Sequence, residues 1–158
     1  MVKPKIKFTH GDEGTLDDIK SLWQALNDHH CHRSTNFKEH YCSMTFEKRK
    51  ADLLKKAALG ELRVDIAVDE AAQMAVGYIV STVNSEKTGE IESVFVSEAY
   101  RGLGVGDRLL EKALEWMNQK GAIERIVEVS VGNEQAWGFY SKHGFLPRKT
   151  VLKQVKRN

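Results

Sequence analysis

Two hydrophobic rhythms divide this chain. Leu16, Ile19, Leu22, Trp23 and Leu26 recur at the three-to-four spacing of one helix face, with Thr15 as cap and Asp18 three residues on. His29-His30-Cys31-His32-Arg33 then opens a polar stretch without period that runs to about Thr45. A second helix follows, carrying Phe46, Leu53, Leu54, Ala57 and Ala58 on its apolar side and ending near Gly60. From Leu62 the period drops to two: Leu62, Val64, Ile66 and Val68 alternate with Arg63 and Asp65, as in a half-buried strand. Asp69–Gln73 makes the turn, Met74–Val83 returns as hairpin partner, and Glu90–Ser97 is a further strand. Leu109, Leu110, Ala113, Trp116 and Met117 share one face of a helix over Gly104–Lys120, which Gly121 ends. A strand over Arg125–Val131, a short helix over Asn133–His143 and a last strand over Phe145–Val155 complete the chain. With a first strand at Lys5–His10 the order is β-α-α-β-β-β-α-β-α-β. That predicts an α/β fold: a mixed, mostly antiparallel central sheet flanked by helices, parallel only around the long helix.

Composition narrows the class without changing the picture. At 158 residues, with no repeat or Pro/Gly/Ser-rich linker, one domain over 1–158 is expected. Apolar residues at 41% and charged residues at 29% suit a soluble globular chain. A net charge of +2 is too small to argue for nucleic acid, and the basic residues near the ends (Lys3, Lys5, Lys7, Lys149, Lys153, Lys156, Arg157) read as solvated surface. The apolar run Met74–Val80 is far too short to cross a bilayer, so neither membrane nor nucleic-acid partners are expected and the location is read as cytoplasmic. The cysteines, Cys31 and Cys42, match no zinc or thioredoxin spacing. Free thiols in a reducing compartment are favoured, with a bridge between them left open. His29, His30, His32 and His40 lack ligand spacing, and no metal is expected.

The chemistry concentrates after the fourth strand. Val94-Phe95-Val96 leads into Ser97-Glu98-Ala99-Tyr100-Arg101-Gly102-Leu103-Gly104-Val105-Gly106-Asp107, a glycine-rich loop that opens a helix. Glycines let backbone N–H groups converge, and a helix N-terminus adds partial positive charge, an arrangement suited to phosphate. A P-loop would need Gly-Lys-Ser/Thr where Gly106-Asp107-Arg108 stands. A dinucleotide fingerprint would need its three glycines directly after the strand, although Glu128 could imitate its ribose-binding acid.

Arg101-x-x-Gly104-x-Gly106 resembles the Arg/Gln-x-x-Gly-x-Gly/Ala loop of the GCN5-related N-acetyltransferases (GNAT family). Asn133-x-x-Ala136-x-x-Phe139-Tyr140-x-x-x-Gly144-Phe145 resembles that family's motif after its fifth strand. The resemblance covers roughly residues 62–147. It implies acetyl-CoA as co-substrate and transfer of its acetyl group to a primary amine, of a small molecule or a peptide. The backbone of Val94, Phe95 and Val96 would pair with the pantetheine arm, and Arg101 with the amides of Gly102, Leu103, Gly104, Val105, Gly106 and Asp107 would hold the pyrophosphate. Asn133 would bond the pantetheine. Asp107 departs from the family's small or basic residues, and its carboxylate is expected to point away from phosphate. Family habit also admits a homodimer.

Direct transfer needs a neutral amine and a proton for the departing thiolate. Tyr140, near the thioester sulfur by resemblance, is the candidate acid; a buried core aromatic is the bland alternative. The candidate bases are Glu92, placed first, then Glu90 on the same strand face and Glu128 on the next strand. Neither cysteine lies in the motifs, which argues against a covalent intermediate. A non-catalytic acyl-CoA-binding module would need neither Tyr140 nor a base.

Overall fold

A computed structural model describes residues 2–156; Arg157 of the basic tail lies outside them. Strand β1 (Ile6–Gly11) leads through a 3-10 turn (Glu13–Ile19) to α1 (Lys20–Arg33), α2 (Lys38–Cys42) and α3 (Phe46–Ala58). The hairpin strands β2 (Gly60–Asp69) and β3 (Met74–Asn84) follow, then β4 (Thr88–Val96), α4 (Val105–Gln119), β5 (Glu124–Val127) and α5 (Ala136–Ser141). The sheet runs β1-β2-β3-β4-β5, antiparallel throughout except for the parallel pair β4–β5. The expected α/β architecture is therefore present.

Each face of the sheet carries its own apolar layer. On one, α1 and α3 set Leu22, Trp23, Phe46 and Leu53 against Leu62, Val64, Ile66, Tyr78 and Val80. On the other, α4 sets Val105, Leu109, Leu110, Ala113, Trp116 and Met117 against Val76, Ile79, Val83 and Ile91. Strand β3 is thus covered on both sides, which is why Val76–Val83 is buried without interruption rather than alternating. Fully burying a side chain of this kind contributes roughly 1.5–3 kcal/mol before entropy is counted.

Four expectations change. Asp12, not Thr15, caps the first helical turn, its Oδ1 accepting from the Gly14 amide at 2.9 Å. His29–Arg33 is not loop but the last turn of α1, because His30, four residues after Leu26, continues the inward stripe. The strand expected over Arg125–Val131 stops at Val127. No strand forms after Phe145 among the described residues: Pro147 lacks a donor, and Leu146, Val151 and Leu152 find no surface, each at least 79% exposed.

Candidate active site

The site begins as a fork in the sheet. Opposite β3 the register of β4 slips: Val80 faces Ser93 and Ser81 faces Ile91, which leaves Glu92 as the extra residue of a β-bulge. Strand β5 stays paired only as far as Ile91–Val127. Beyond that point the two strands diverge, and the later half of β4 has a free edge. The Ser97 amide donates back to Val76 O at 2.8 Å, so by alternation the N–H and C=O groups of Val94 and Val96 face the gap. Arg101 Nε donates to Val96 O at 2.9 Å, and its guanidinium lies 5.5 Å from the Phe95 ring. Phe95 itself packs into the α1–α3 layer.

The glycine loop stands at the wide end of the fork. Gly102 (φ 75°) and Gly104 (φ 81°) both take the left-handed backbone that side chains disfavour. A Cβ built on either would point into open space. The amides from Gly102 to Asp107 find no acceptor among the described residues. Unpaired amides at a helix N-terminus, with room in front of them, are the ordinary requirements of a phosphate cradle. The Asp107 carboxylate turns to α5 instead, accepting from His143 Nε2 at 2.9 Å and meeting Lys142 Nζ at 3.1 Å. The His143 bond, and then Lys142, hold its carboxyl below the usual carboxylate range.

At the narrow end lies a cleft of about 330 Å³ that brings together Glu90, Glu92, Val94, Glu128, Asn133 and Tyr140. Glu92 is 2% exposed at its side chain and fully engaged. Lys56 Nζ lies 2.7 Å from its Oε1, Arg49 donates to its Oε2 at 3.3 Å, and Thr82 Oγ1 donates to Oε1 at 2.7 Å. Glu90 shares the Lys56 ammonium at 3.0 Å but keeps 22% of its side chain open. Burial pushes the Glu90 carboxyl up, against the opposing pull of Lys56. Glu128 falls just past β5 and is exposed. Tyr140, on α5, is 8% exposed, and its hydroxyl bonds no described residue. Burial pushes its pKa up to about 12.

The remaining wall comes from α1 and α2. Asn27 Nδ2 donates to Tyr41 O at 2.9 Å, and Tyr41 donates its hydroxyl to Ser130 Oγ at 2.7 Å across the cleft mouth. Cys31 and Cys42, expected as free thiols, form a disulfide that joins the last turn of α1 to the end of α2. Their Cα atoms lie 4.9 Å apart, within bonding range once His29–Arg33 is helical. Burial, and then neighbouring His29, lower the pKa of His30, which lines the same wall. No group of three or more His, Cys, Asp or Glu among the described residues is arranged to hold a metal. No described helix is long and apolar enough to cross a membrane. Sequence reasoning missed Arg49, Lys56 and Thr82 around Glu92, and Lys142 and His143 around Asp107. No spacing rule joins residues so far apart in the chain.

Comparison with known proteins accords with this geometry. The chain is 32% identical to the peptidyl-lysine N-acetyltransferase YjaB of Escherichia coli over 140 residues, covering 89% of this chain and 80% of that one. It is 37% identical over 83 residues to the uncharacterized N-acetyltransferase MJ1207 of Methanocaldococcus jannaschii, covering 49% of this chain but only 36% of that longer protein. The aminoglycoside N-acetyltransferase AAC(6')-Iy, solved in complex with CoA, superposes with a TM-score of 0.71 at 18% identity, covering 99% of this chain and 98% of that one. At such identity this is a likeness of fold. The model of the acetyltransferase (GNAT) family matches residues 23–145, so the chain belongs to that family.

Proposed function

We propose that this chain is an acetyl-CoA-dependent N-acetyltransferase in which a primary amine attacks the thioester directly. The observation that carries the reading is the fork itself: a strand edge and a row of free amides at one end, a tyrosine hydroxyl and a partly open carboxylate at the other. The glycine loop fits a pyrophosphate, since Gly102 and Gly104 leave space before unpaired amides. Val94 and Val96 would pair with the pantetheine arm, and Asn133 would bond it. CoA bound to the structurally similar AAC(6')-Iy supports this assignment. Acetyl-CoA supplies the activated acetyl group, and this chain orients it.

Tyr140 holds a proton at its hydroxyl and can give it to the departing thiolate, because a phenol with a pKa near 12 stays protonated at neutral pH. Glu90 takes the base role that the sequence assigned first to Glu92: it is the more open of the two, and its raised pKa suits removal of an amine proton through water. Glu92 fixes Lys56 and Arg49 beside it. A disulfide-bonded cysteine is no nucleophile, which agrees with direct transfer. A binding module without catalysis would have no use for the free Tyr140 hydroxyl.

The similar proteins act, by their names, on peptide lysine and on aminoglycosides. A small-molecule or peptide amine is therefore the proposed acceptor. We read the protein as one acetyltransferase unit without nucleic-acid or membrane partners, cytoplasmic by the sequence reading, although the Cys31–Cys42 disulfide speaks for an oxidising compartment. Release of CoA thiol across a panel of primary amines tests the reading. Turnover with at least one amine is the expected result; CoA binding without turnover on any would favour the binding module.

A further inference from the structure

The acidic residue at the mouth of the glycine loop is unusual because phosphate must approach the same amides. Asp107 sits in the first turn of α4, next to Gly106. Two side chains from the end of α5 meet its carboxylate, His143 Nε2 at 2.9 Å and Lys142 Nζ at 3.1 Å. The contact is built rather than incidental. His143 is 13% exposed at its side chain, and its ring lies 5.8 Å from that of Phe139. Lys142 Nζ stands 5.6 Å from the Phe139 centroid. Phe139 also reaches back to the loop, where a Cβ on Gly106 would come within 3.3 Å of its ring. The other charged pair in this first stretch of α4, Arg108 with Glu111, is turned to solvent and satisfies itself at 3.3 Å.

We propose that Lys142 and His143 are positioning residues that hold the Asp107 carboxylate off the phosphate cradle, Lys142 by offsetting its charge and His143 by a hydrogen bond, which lets this chain carry an acid where it binds a polyanion. The inference rests on the reading of the glycine loop as a CoA site. An unpaired carboxylate within a few ångströms of a phosphate repels it, and the repulsion is only partly screened beside a protein surface. The Lys142 ammonium offsets that charge and the His143 hydrogen bond fixes the carboxylate, neither by touching the ligand. Lys142 and His143 thus affect CoA binding through Asp107 alone.

The prediction is a thermodynamic cycle on the full chain, read by calorimetric binding of CoA. The double substitution Lys142→Met and His143→Gln should weaken CoA binding about tenfold in the wild-type background, equivalent to about 1.4 kcal/mol. In an Asp107→Asn background the same double substitution should change affinity less than twofold. An equal loss in both backgrounds would show that the two side chains meet the phosphates themselves and overturn the proposal. So would no loss in either. Lys142→Met alone, at a residue 58% exposed, gives a smaller loss with the same dependence on Asp107 if the double variant folds poorly. A wild-type chain that bound no CoA would instead remove the reading of the loop, a separate and recognisable failure.

Discussion

Tyr41 and Ser130 meet hydroxyl to hydroxyl at 2.7 Å, tying α2 to the segment beyond β5 across the mouth of the cleft. The tie joins the wall from α1 and α2 to the segment after β5 that carries Glu128. Tyr41→Phe keeps the ring, including its packing 5.6 Å from His30, and removes only the tie. Stability should fall by about 1 kcal/mol, the usual net value of one such bond. Because the cradle lies elsewhere, KM for the amine should rise while CoA affinity stays within twofold. Thermal melts and steady-state kinetics check both halves.

Tyr140→Phe separates acid from core aromatic. The ring stays between Phe139 and Phe145, at centroid distances of 5.1 and 6.0 Å. Folding and CoA affinity should be nearly unchanged, with turnover down about 10–10³-fold, or roughly 1.4–4 kcal/mol on the barrier. With its pKa near 12, Tyr140 remains a proton donor through pH 9, so the wild-type rate should show no fall from its ionisation up to there. Turnover within twofold of wild type, with chemistry rate-limiting, would return Tyr140 to the core.

Glu90→Gln and Glu92→Gln should fail in different ways. The Glu90 carboxyl titrates above its ordinary value, chiefly through burial, and only its ionised form accepts a proton. The wild-type rate should therefore climb as pH rises through that raised pKa, and Glu90→Gln should abolish the climb with a loss of tenfold or more at pH 7. Glu92→Gln removes the carboxylate charge that Arg49 and Lys56 share, leaving Lys56 with Glu90 and Arg49 with the Glu92 backbone oxygen. Its main effect should be on stability, about 2 kcal/mol since Lys56 still reaches water. Pairing pH–rate profiles with melts distinguishes them. A larger turnover loss for Glu92→Gln at unchanged stability would restore the base role to Glu92.

Gly104→Val tests the cradle. A branched residue is strained at φ 81°, and its side chain would occupy the space before the free amides. CoA at 100 times its dissociation constant should stabilise the wild type by about 2.7 kcal/mol and the variant scarcely at all. Calorimetric melts with and without CoA decide it; an equal shift in both chains would move the phosphate site away from this loop.

Much of this was legible in the chain. The α4 stripe of Leu109, Leu110, Ala113, Trp116 and Met117 predicted its helix because every member is buried on one layer. The glycine loop could be read because backbone conformation is local. Contacts made by folding could not. Glu92 reads as a lone strand carboxylate until α3 delivers Arg49 and Lys56 to it. The Phe145–Val155 pattern reads as a strand, but Pro147 and a four-residue β5 leave it nothing to pair with. His30 looked like loop because a polar residue stood where the helical stripe required the next inward position.

The bulge at Glu92 also makes the site sensitive to counting. Before it the residues of β4 that pack toward α4 are odd-numbered: Ile91 is buried there, and a side chain on Gly89 would meet Met117. After it they are even-numbered, Val94 and Val96, while Phe95 turns to the other layer. One residue therefore shifts the frame of the strand. Deleting Glu92 would restore unbroken alternation and leave Ile91 and Val94 two positions apart on the face they already share, while removing the carboxylate that meets Arg49 and Lys56. A deletion that left the bulge in place, or one further insertion, would instead rewrite the facing of every position on one side of it. The bulge is thus a position the alternation does not need, filled by the carboxylate that α3 holds.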